Sequence, residues 1–428
     1  MKILGIHADV CHLGGHTRLF LMMMDVFKSM NYQVHVVART TKQAVSTTKL
    51  EINDPQTMKP KLIQATVKTE CKMAHHSLKQ LRKYQPLRYL SPNDVSLHSI
   101  PVVYWQGKFL NPWPEKVVDM IQDADYVFSD TEMYIRIASE LDISHKHIQY
   151  VHFPTEGLMP VFMNEPKMIW ANSTFTRSWI RIRWGYGNPN YTRVGRKYAT
   201  VTIPRQIFEA DVVHPPLYTE DYRNNNGFQD RPYDVVMFAR LGEDKFTVAG
   251  FLNKHFKLLT MGALSPIKHP PERSFQVTKT SPRQKQGKTS GFKPTKVFKP
   301  TGELHATVTF KEATKLLQQA KVYVHGKGFG IIPETGGQSL PEHFGITICE
   351  AMASGCPAIV PRSGGCWTDI SMQGKHTLAY SSLEELKATI EVLTSNKEQW
   401  LKWHKLALER VKAFDAEKLK PRIKQLLN

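Results

Sequence analysis

Lys2-Ile3-Leu4-Gly5-Ile6-His7-Ala8, then Cys11-His12-Leu13-Gly14-Gly15-His16, then the run from Thr17 to Met30, then Gln33 to Ala38 with Val34, Val36 and Val37: this succession decides the fold class. It reads as an apolar strand, a glycine turn, a helix and a second apolar strand. Such a βαβ unit joins its strands in parallel and implies an α/β chain. Working outward, strand-like runs recur at Val102–Trp105, Tyr126–Ser129, His147–His152, Met168–Asn172 and Asp211–His214, with helix-like stretches between several of them. Pro215-Pro216 then interrupts the pattern, and it starts again. Asp234–Ala239, Phe256–Gly262, Lys321–His325 and Ala358–Pro361 read as strands. Helices are expected from about Phe246, over Phe310–Ala320, Phe344–Ser354 and Ser382–Thr394, and through Lys397–Asn428. Two successive α/β blocks predict two open sheets facing a cleft, with ligands at the carboxyl ends of the strands. The expected boundaries are 1–214 and 215–428. The last helical segment carries Trp400, Trp403, Leu406 and Val411 at roughly helical spacing and could cross back to the first block.

A chain of 428 residues exceeds one ordinary core, so two domains are the default. No apolar run approaches the roughly 20 residues that span a bilayer, and the N-terminal run is too short for a signal peptide. Five scattered cysteines, with no CxxC, argue against a disulfide framework or a zinc site and fit a reducing, cytoplasmic compartment. The formal net charge is +19, which points to an anionic partner. Nine Lys/Arg against one acid lie between Ser265 and Pro300, a segment rich in Pro, Ser, Thr and Gln that reads as a flexible insert at about 265–300. A second basic stretch, Pro166–Phe208, has eight Lys/Arg, no Asp or Glu, and interleaved aromatics.

The most informative motif is Pro341-Glu342-His343-Phe344-Gly345-Ile346-Thr347-Ile348-Cys349-Glu350-Ala351-Met352-Ala353-Ser354-Gly355-Cys356-Pro357. Glu342 precedes a glycine turn and Glu350 lies on the helix that follows. The free N–H groups at a helix start suit a phosphate, and carboxylates on either side of them can bracket the two ends of a nucleotide-sugar. Taken alone, a pair of acids at this spacing is more often an ordinary helix surface. A second element, Met237-Phe238-Ala239-Arg240-Leu241-Gly242-Glu243-Asp244-Lys245, ends a strand with two cations five apart, which can neutralise a diphosphate leaving group, although that spacing alone is more often a solvated charged loop. Gly14-Gly15-His16-Thr17-Arg18 matches neither a dinucleotide fingerprint nor a Walker loop, though glycines before a helix start allow close ligand approach. Tyr150-Val151-His152-Phe153-Pro154-Thr155 places a histidine at a strand end, and Ala171-Asn172-Ser173-Thr174 reads as a strand-to-helix turn capped by Asn172 or Ser173.

These stretches together resemble glycosyltransferase family 4. The resemblance is most specific from Ala320 to Ile370, and the Glu-His-Phe-Gly-Ile form is most similar to the eukaryotic dolichol-pathway α-1,2-mannosyltransferases. It implies a GT-B fold of two Rossmann-like domains and retaining transfer of a hexose from a nucleotide-sugar. The donor favoured is GDP-mannose, with UDP-sugars open, and no metal or other cofactor is expected. It implies that Glu342 meets the donor sugar's hydroxyls. The backbone of Phe344, Gly345 and Ile346 would meet the diphosphate, and Glu350 the ribose hydroxyls. Arg240 and Lys245 would contact the diphosphate, Gly14 and Gly15 would lie opposite it, and His152 would stand at the cleft floor near the sugar. Ser363-Gly364-Gly365-Cys366-Trp367 resembles the family's sugar-facing Gly-Gly loop, but Cys366 stands where the family usually has Pro.

The acceptor is not readable beyond a glycan or lipid-linked class. Phe175-Thr176-Arg177-Ser178-Trp179-Ile180-Arg181-Ile182-Arg183-Trp184 alternates aromatic or aliphatic residues with arginines, which suits docking on an anionic membrane as well as a half-buried helix with a basic face. Three other readings compete: a nucleotide-sugar epimerase on the same scaffold, a non-catalytic binding relative, and a nucleic-acid-binding protein. The last is disfavoured because the charge sits in an apparent loop and no nucleic-acid module is present.

Overall fold

The computed structural model describes residues 1–7, 15–39, 46–53, 60–67, 86–98, 100, 113–130, 141–154, 166–182, 190–194, 197–201, 209–223, 225–238, 246–262, 303–306, 308–329 and 340–428. Gly14, Arg240, Lys245, the strand expected at Val102–Trp105 and the basic insert lie outside them.

The strands, in chain order, are β1 (Lys2–His7), β2 (Gln33–Arg39), β3 (Ser46–Asn53), β4 (Pro60–Val67), β5 (Val95–His98), β6 (Tyr126–Ser129), β7 (His147–Val151), β8 (Met168–Ala171), β9 (Asn190–Val194), β10 (Lys197–Val201), β11 (Asp211–Val212), β12 (Tyr233–Phe238), β13 (Leu258–Gly262), β14 (Glu303–Ala306), β15 (Ala320–Val324), β16 (Ala358–Pro361) and β17 (Leu378–Tyr380). The helices are α1 (Gly15–Ser29), α2 (Glu115–Asp123), α3 (Thr174–Ile180), α4 (Phe246–His255), α5 (Phe310–Leu317), α6 (Ile346–Ala353), α7 (Leu383–Ser395), α8 (Lys397–Val411) and α9 (Ala416–Leu427). Among the described residues no helix is long and apolar enough to cross a membrane.

Two open parallel sheets result, as the apolar periodicity predicts. The first runs β11-β8-β7-β6-β1-β2-β5 and the second β14-β13-β12-β15-β16-β17. Every pairing within them is parallel, for example Ile3 with Val34 and with Tyr126, and Val235 with Leu258 and with Val322. The continuous apolar strands follow from burial on both faces. Successive strands run outward from β1 in one direction through β2 and β5, and from β6 in the other through β7, β8 and β11. The switch point of the first sheet therefore lies between β1 and β6. By the same logic the second sheet switches between β12 and β15. At a switch point the loops leave in opposite directions and open a crevice at the carboxyl ends of the strands. Two antiparallel hairpins, β3–β4 and β9–β10, stand outside both sheets and were not visible in the apolar pattern.

Short polar side chains start the helices where the sequence places them. Ser173 accepts from the Thr176 amide at α3, and Thr309 and Glu312 form a capping box at α5. Ser382, Asn396 and Asp415 accept from amides in the first turns of α7, α8 and α9. Two expected boundaries move. The helix expected from Phe344 begins at Ile346, because its N-cap Gly345 has φ +101°, outside helical space. The helix over Phe310–Ala320 ends at Leu317, since Ala320 already pairs in β15. α1 is buried from Leu19 to Phe27, including Met22, Met23 and Met24, so its apolar residues cover the whole circumference.

The chain does return to the first sheet. Leu217, just after Pro215-Pro216, exchanges backbone hydrogen bonds with Phe414 and Ala416, at 2.9 and 2.8 Å. α9 then lies on the first domain: Tyr126 Oη donates to the Leu427 carbonyl at 2.7 Å, and Arg422 pairs with Asp211 at 2.5 Å. Inside the second domain the buried Arg231 guanidinium donates to the carbonyls of Ala320 at 2.8 Å and Ser354 at 2.9 Å, placing a cation beside the C-terminal end of α6.

Candidate active site

Both switch points carry polar side chains that face one cleft. On the second sheet, β15 ends at Val324 and the next residue, His325, is buried with its Nε2 3.4 Å from Glu342 Oε2. Tyr323 Oη lies 3.3 Å from His325 Nδ1 and 2.9 Å from Thr347 Oγ1, and Tyr380 Oη donates to the His325 carbonyl at 2.8 Å. Glu342 thus lies beside a histidine held by two tyrosine hydroxyls, one on its ring and one on its carbonyl, while the Glu342 side chain keeps 22% exposure. The Gly364-Gly365 pair explains how that loop is packed. A Cβ on Gly364 would stand 2.3 Å from the Glu342 carbonyl oxygen, and one on Gly365 would stand 1.9 Å from that of His343. The Gly365 amide donates to the Glu342 carbonyl at 2.8 Å. No larger residue fits this approach, so the glycines serve the position of Glu342.

Downstream, Phe344 is buried against Phe414 and His214, and Gly345 and Ile346 begin α6. Glu350, in the second turn of α6, is 1% exposed. It forms an ion pair with Arg18 of the opposite domain and accepts from Tyr222 Oη at 2.9 Å, while Arg18 also donates to Tyr222 at 2.8 Å. Burial raises the Glu350 pKa, and Arg18 and Tyr222 only partly offset this. The first turn of α1 thus bears directly on the carboxylate that the sequence singled out. Gly15 opens that turn with open space around it.

On the first sheet, the switch point holds a cluster that no sequence motif marks. Asp130, immediately after β6, is fully buried and faces three imidazoles. His7 Nδ1 lies 2.7 Å from its Oδ1, and His16 Nε2 and His152 Nε2 each lie 3.0 Å from its Oδ2. His7 Nε2 in turn meets Thr17 Oγ1 at 3.1 Å. Burial alone would raise the Asp130 pKa, but His16 and His7 hold it well below the usual carboxylate range. Burial opposes a charge on His16, yet the Asp130 carboxylate outweighs it and raises its pKa; for His152 burial prevails and the pKa falls. Burial thus favours the neutral form of His152. With Nε2 on Asp130, its Nδ1 is the acceptor nitrogen, and it has no hydrogen-bond partner among the described residues.

The two walls meet through α3. Ser173 Oγ donates to the His343 carbonyl at 2.6 Å, Thr176 Oγ1 lies 2.8 Å from His343 Nδ1, and the rings of Phe153, Phe175 and Trp179 surround His343. Asp369 accepts from the Thr174 amide and hydroxyl, both at 2.7 Å, and lies 3.1 Å from His214 Nε2. Phe175 and Trp179, from the alternating basic-aromatic stretch, are thus spent on interdomain packing. Ile182 of the same stretch is exposed. The structure brings together Glu342, the α6 start and Glu350 on one wall, with His152 on the other. His7, His16, Asp130, Arg18, Tyr222 and His325 are additions. Their signal in the sequence was slight: His7 lies near the end of the first strand-like run, Asp130 follows the run Tyr126–Ser129, and Arg18 closes the quoted glycine segment.

Comparison with known proteins bears on the fold and on the second sheet. Residues 304–410 match the family model described as "Glycosyl transferases group 1". No curated protein matches the chain. Among solved structures, Anabaena Alr3699/HepE in complex with UDP and glucose superposes with a TM-score of 0.60 at 14% identity, covering 100% of this chain and 99% of that one. Sucrose-phosphate synthase from Thermosynechococcus elongatus gives 0.56 at 13% identity, covering 99% and 98%. An alpha-glucosyltransferase in complex with UDP gives 0.53 at 11% identity, covering 100% of both chains. The fold is accordingly the α/β GT-B arrangement of two Rossmann-like domains.

Proposed function

We propose that the chain is a retaining glycosyltransferase that moves a hexose from a nucleoside-diphosphate sugar to a glycan or lipid-linked acceptor. Residues 1–214 supply the acceptor side and residues 215–428 the donor side. The observation that carries the reading is the pair Glu342 and Glu350 flanking the start of α6, within the stretch matched by the group 1 model and opposite the imidazoles of the first sheet. In this reading the donor's diphosphate rests on the free amides at the α6 start. Glu350, shared with Arg18 and Tyr222, takes the ribose hydroxyls, and Glu342 the sugar hydroxyls. His152 turns its acceptor nitrogen to the sugar. As the bond from anomeric carbon to diphosphate breaks, negative charge grows on the leaving group, and Arg240 and Lys245 neutralise it. No metal is assigned to this step. The donor is a GDP- or UDP-sugar, with GDP-mannose first in order from the motif resemblance. A cytoplasmic location with peripheral docking on an anionic membrane fits the basic stretches; a protein that stays at the bottom in liposome flotation at low salt refutes the docking.

The test is release of free nucleoside diphosphate from a panel of UDP-, GDP- and ADP-sugars by wild type and Glu342→Gln. Release from one donor, lost in the variant, supports the reading and names the donor. Silence across the panel, with no thermal stabilisation by any donor, refutes it.

A further inference from the structure

We propose that His7, His16 and Asp130 form a binding site for one divalent transition-metal ion of the zinc class on the first-domain floor of the cleft. The inference stands independently of the transfer reaction. Two imidazoles and a carboxylate form an N,N,O donor set, and their three ligand atoms lie within 4.8 Å of one another. Each is carried by a rigid element at the first sheet's switch point. His7 is the last residue of β1, Asp130 follows β6, and His16 sits in the first turn of α1. The outer hydrogen bonds are of the kind that orients metal ligands. Thr17 Oγ1 at 3.1 Å from His7 Nε2 leaves Nδ1 facing the carboxylate, and His152 Nε2 stands 3.0 Å from Asp130 Oδ2. One carboxylate oxygen can therefore bind the ion while the other keeps His152. Ligand atoms at about 2.0–2.2 Å from a tetrahedral ion lie roughly 3.3–3.6 Å apart; the 2.7 Å between His7 Nδ1 and Asp130 Oδ1 therefore opens by less than about 1 Å, while His16 Nε2, now 3.0 Å from Oδ2, swings toward Oδ1 and the widest spacing of the set, within 4.8 Å, closes by up to about 1.5 Å. His16, at 43% exposure, provides the entry path. Three protein ligands leave a fourth position for water or a hydroxyl. No local spacing marks this set, whose members lie at positions 7, 16 and 130.

The competing arrangement is a purely protonic cluster, in which Asp130 accepts three imidazole N–H groups. Metal titration separates the two. The full-length chain, free of any oligohistidine tag and stripped with chelator, is titrated with Co²⁺ and then Zn²⁺ in the absence of donor. One equivalent of Co²⁺ with visible ligand-field absorption, displaced by Zn²⁺, is expected. Asp130→Asn and His16→Ala should each weaken binding by at least about 100-fold, and Thr17→Val by about 10–100-fold. Because Asp130 is buried, His16→Ala at a partly exposed position keeps the test readable if the first variant does not fold. His145→Ala, at an exposed position elsewhere, should bind like wild type. Absence of the absorption in wild type, or uptake by His16→Ala equal to that of wild type, overturns the proposal.

Discussion

On the wall formed by the second sheet, Glu342, Phe344, Gly345, Ile346 and Glu350 follow one another along a single loop and helix, and a glycine pair pressed against the loop's backbone sets its position. On the wall formed by the first sheet, His7, His16, Asp130 and His152 come from four separate places in the chain and meet because β1, β6 and β7 are adjacent. One wall is carboxylates placed by local backbone geometry; the other is imidazoles placed around a buried carboxylate by topology. Damage to the first should therefore act through a few neighbouring residues, and damage to the second through the relation of whole elements.

The sharpest way to break that contrast is at the buried Arg18–Glu350 ion pair, which joins the walls. Arg18→Ala leaves Glu350 buried without its cation and should destabilise the chain by about 3–5 kcal/mol in urea unfolding. Arg18→Met combined with Glu350→Gln should recover most of the loss. On the donor side, removing Arg240 or Lys245 should raise the barrier by about 2.7–4 kcal/mol, read as a 10²–10³-fold fall in kcat; an unchanged rate in both alanine variants would remove them from the mechanism. Gly365→Ala drives a methyl against the His343 carbonyl and should cost about 3 kcal/mol, with a lowered Tm and a further loss of turnover from the displaced Glu342. The smallest effect concerns the α3 contact. The hydrogen bonds from His214, Thr174 and Thr368 hold the Asp369 pKa below its ordinary value against the opposing effect of burial. Its stabilisation is then full above the unfolded value near about 4 and lost as pH falls through the lower folded value. Asp369→Asn should cost about 1 kcal/mol at neutral pH, with the gap to wild type closing below about pH 4 in thermal melts.

The same contrast explains what could be read from sequence. The parallel sheets were legible because most strands are short, nearly continuous apolar runs, and Tyr126–Ser129 and Ala358–Pro361 fall where those runs place them. Glu342 and Glu350 were legible because they share one continuous motif. Asp130 was not, because a lone acid after a strand has no meaning until the strand order places it beside His7 and His152. Glu350 also differs from its expected surroundings: Arg18, more than three hundred residues earlier in the chain, occupies it, and only the approach of α1 to α6 brings that about. The hairpins β3–β4 and β9–β10 escaped because they lie outside the buried sheets that generate the pattern.

In the proposed reaction the two walls act on one nucleotide-sugar. The most direct measurement is single-turnover release of nucleoside diphosphate from the accepted donor by wild type, Glu342→Gln, His152→Ala and the double variant. Both single variants should be slowed, with the double no slower than the product of their effects predicts, since groups acting as a unit are not additive. A His152→Ala enzyme that turns over like wild type while Glu342→Gln is dead would contradict a two-walled site and leave the chemistry to the second domain alone.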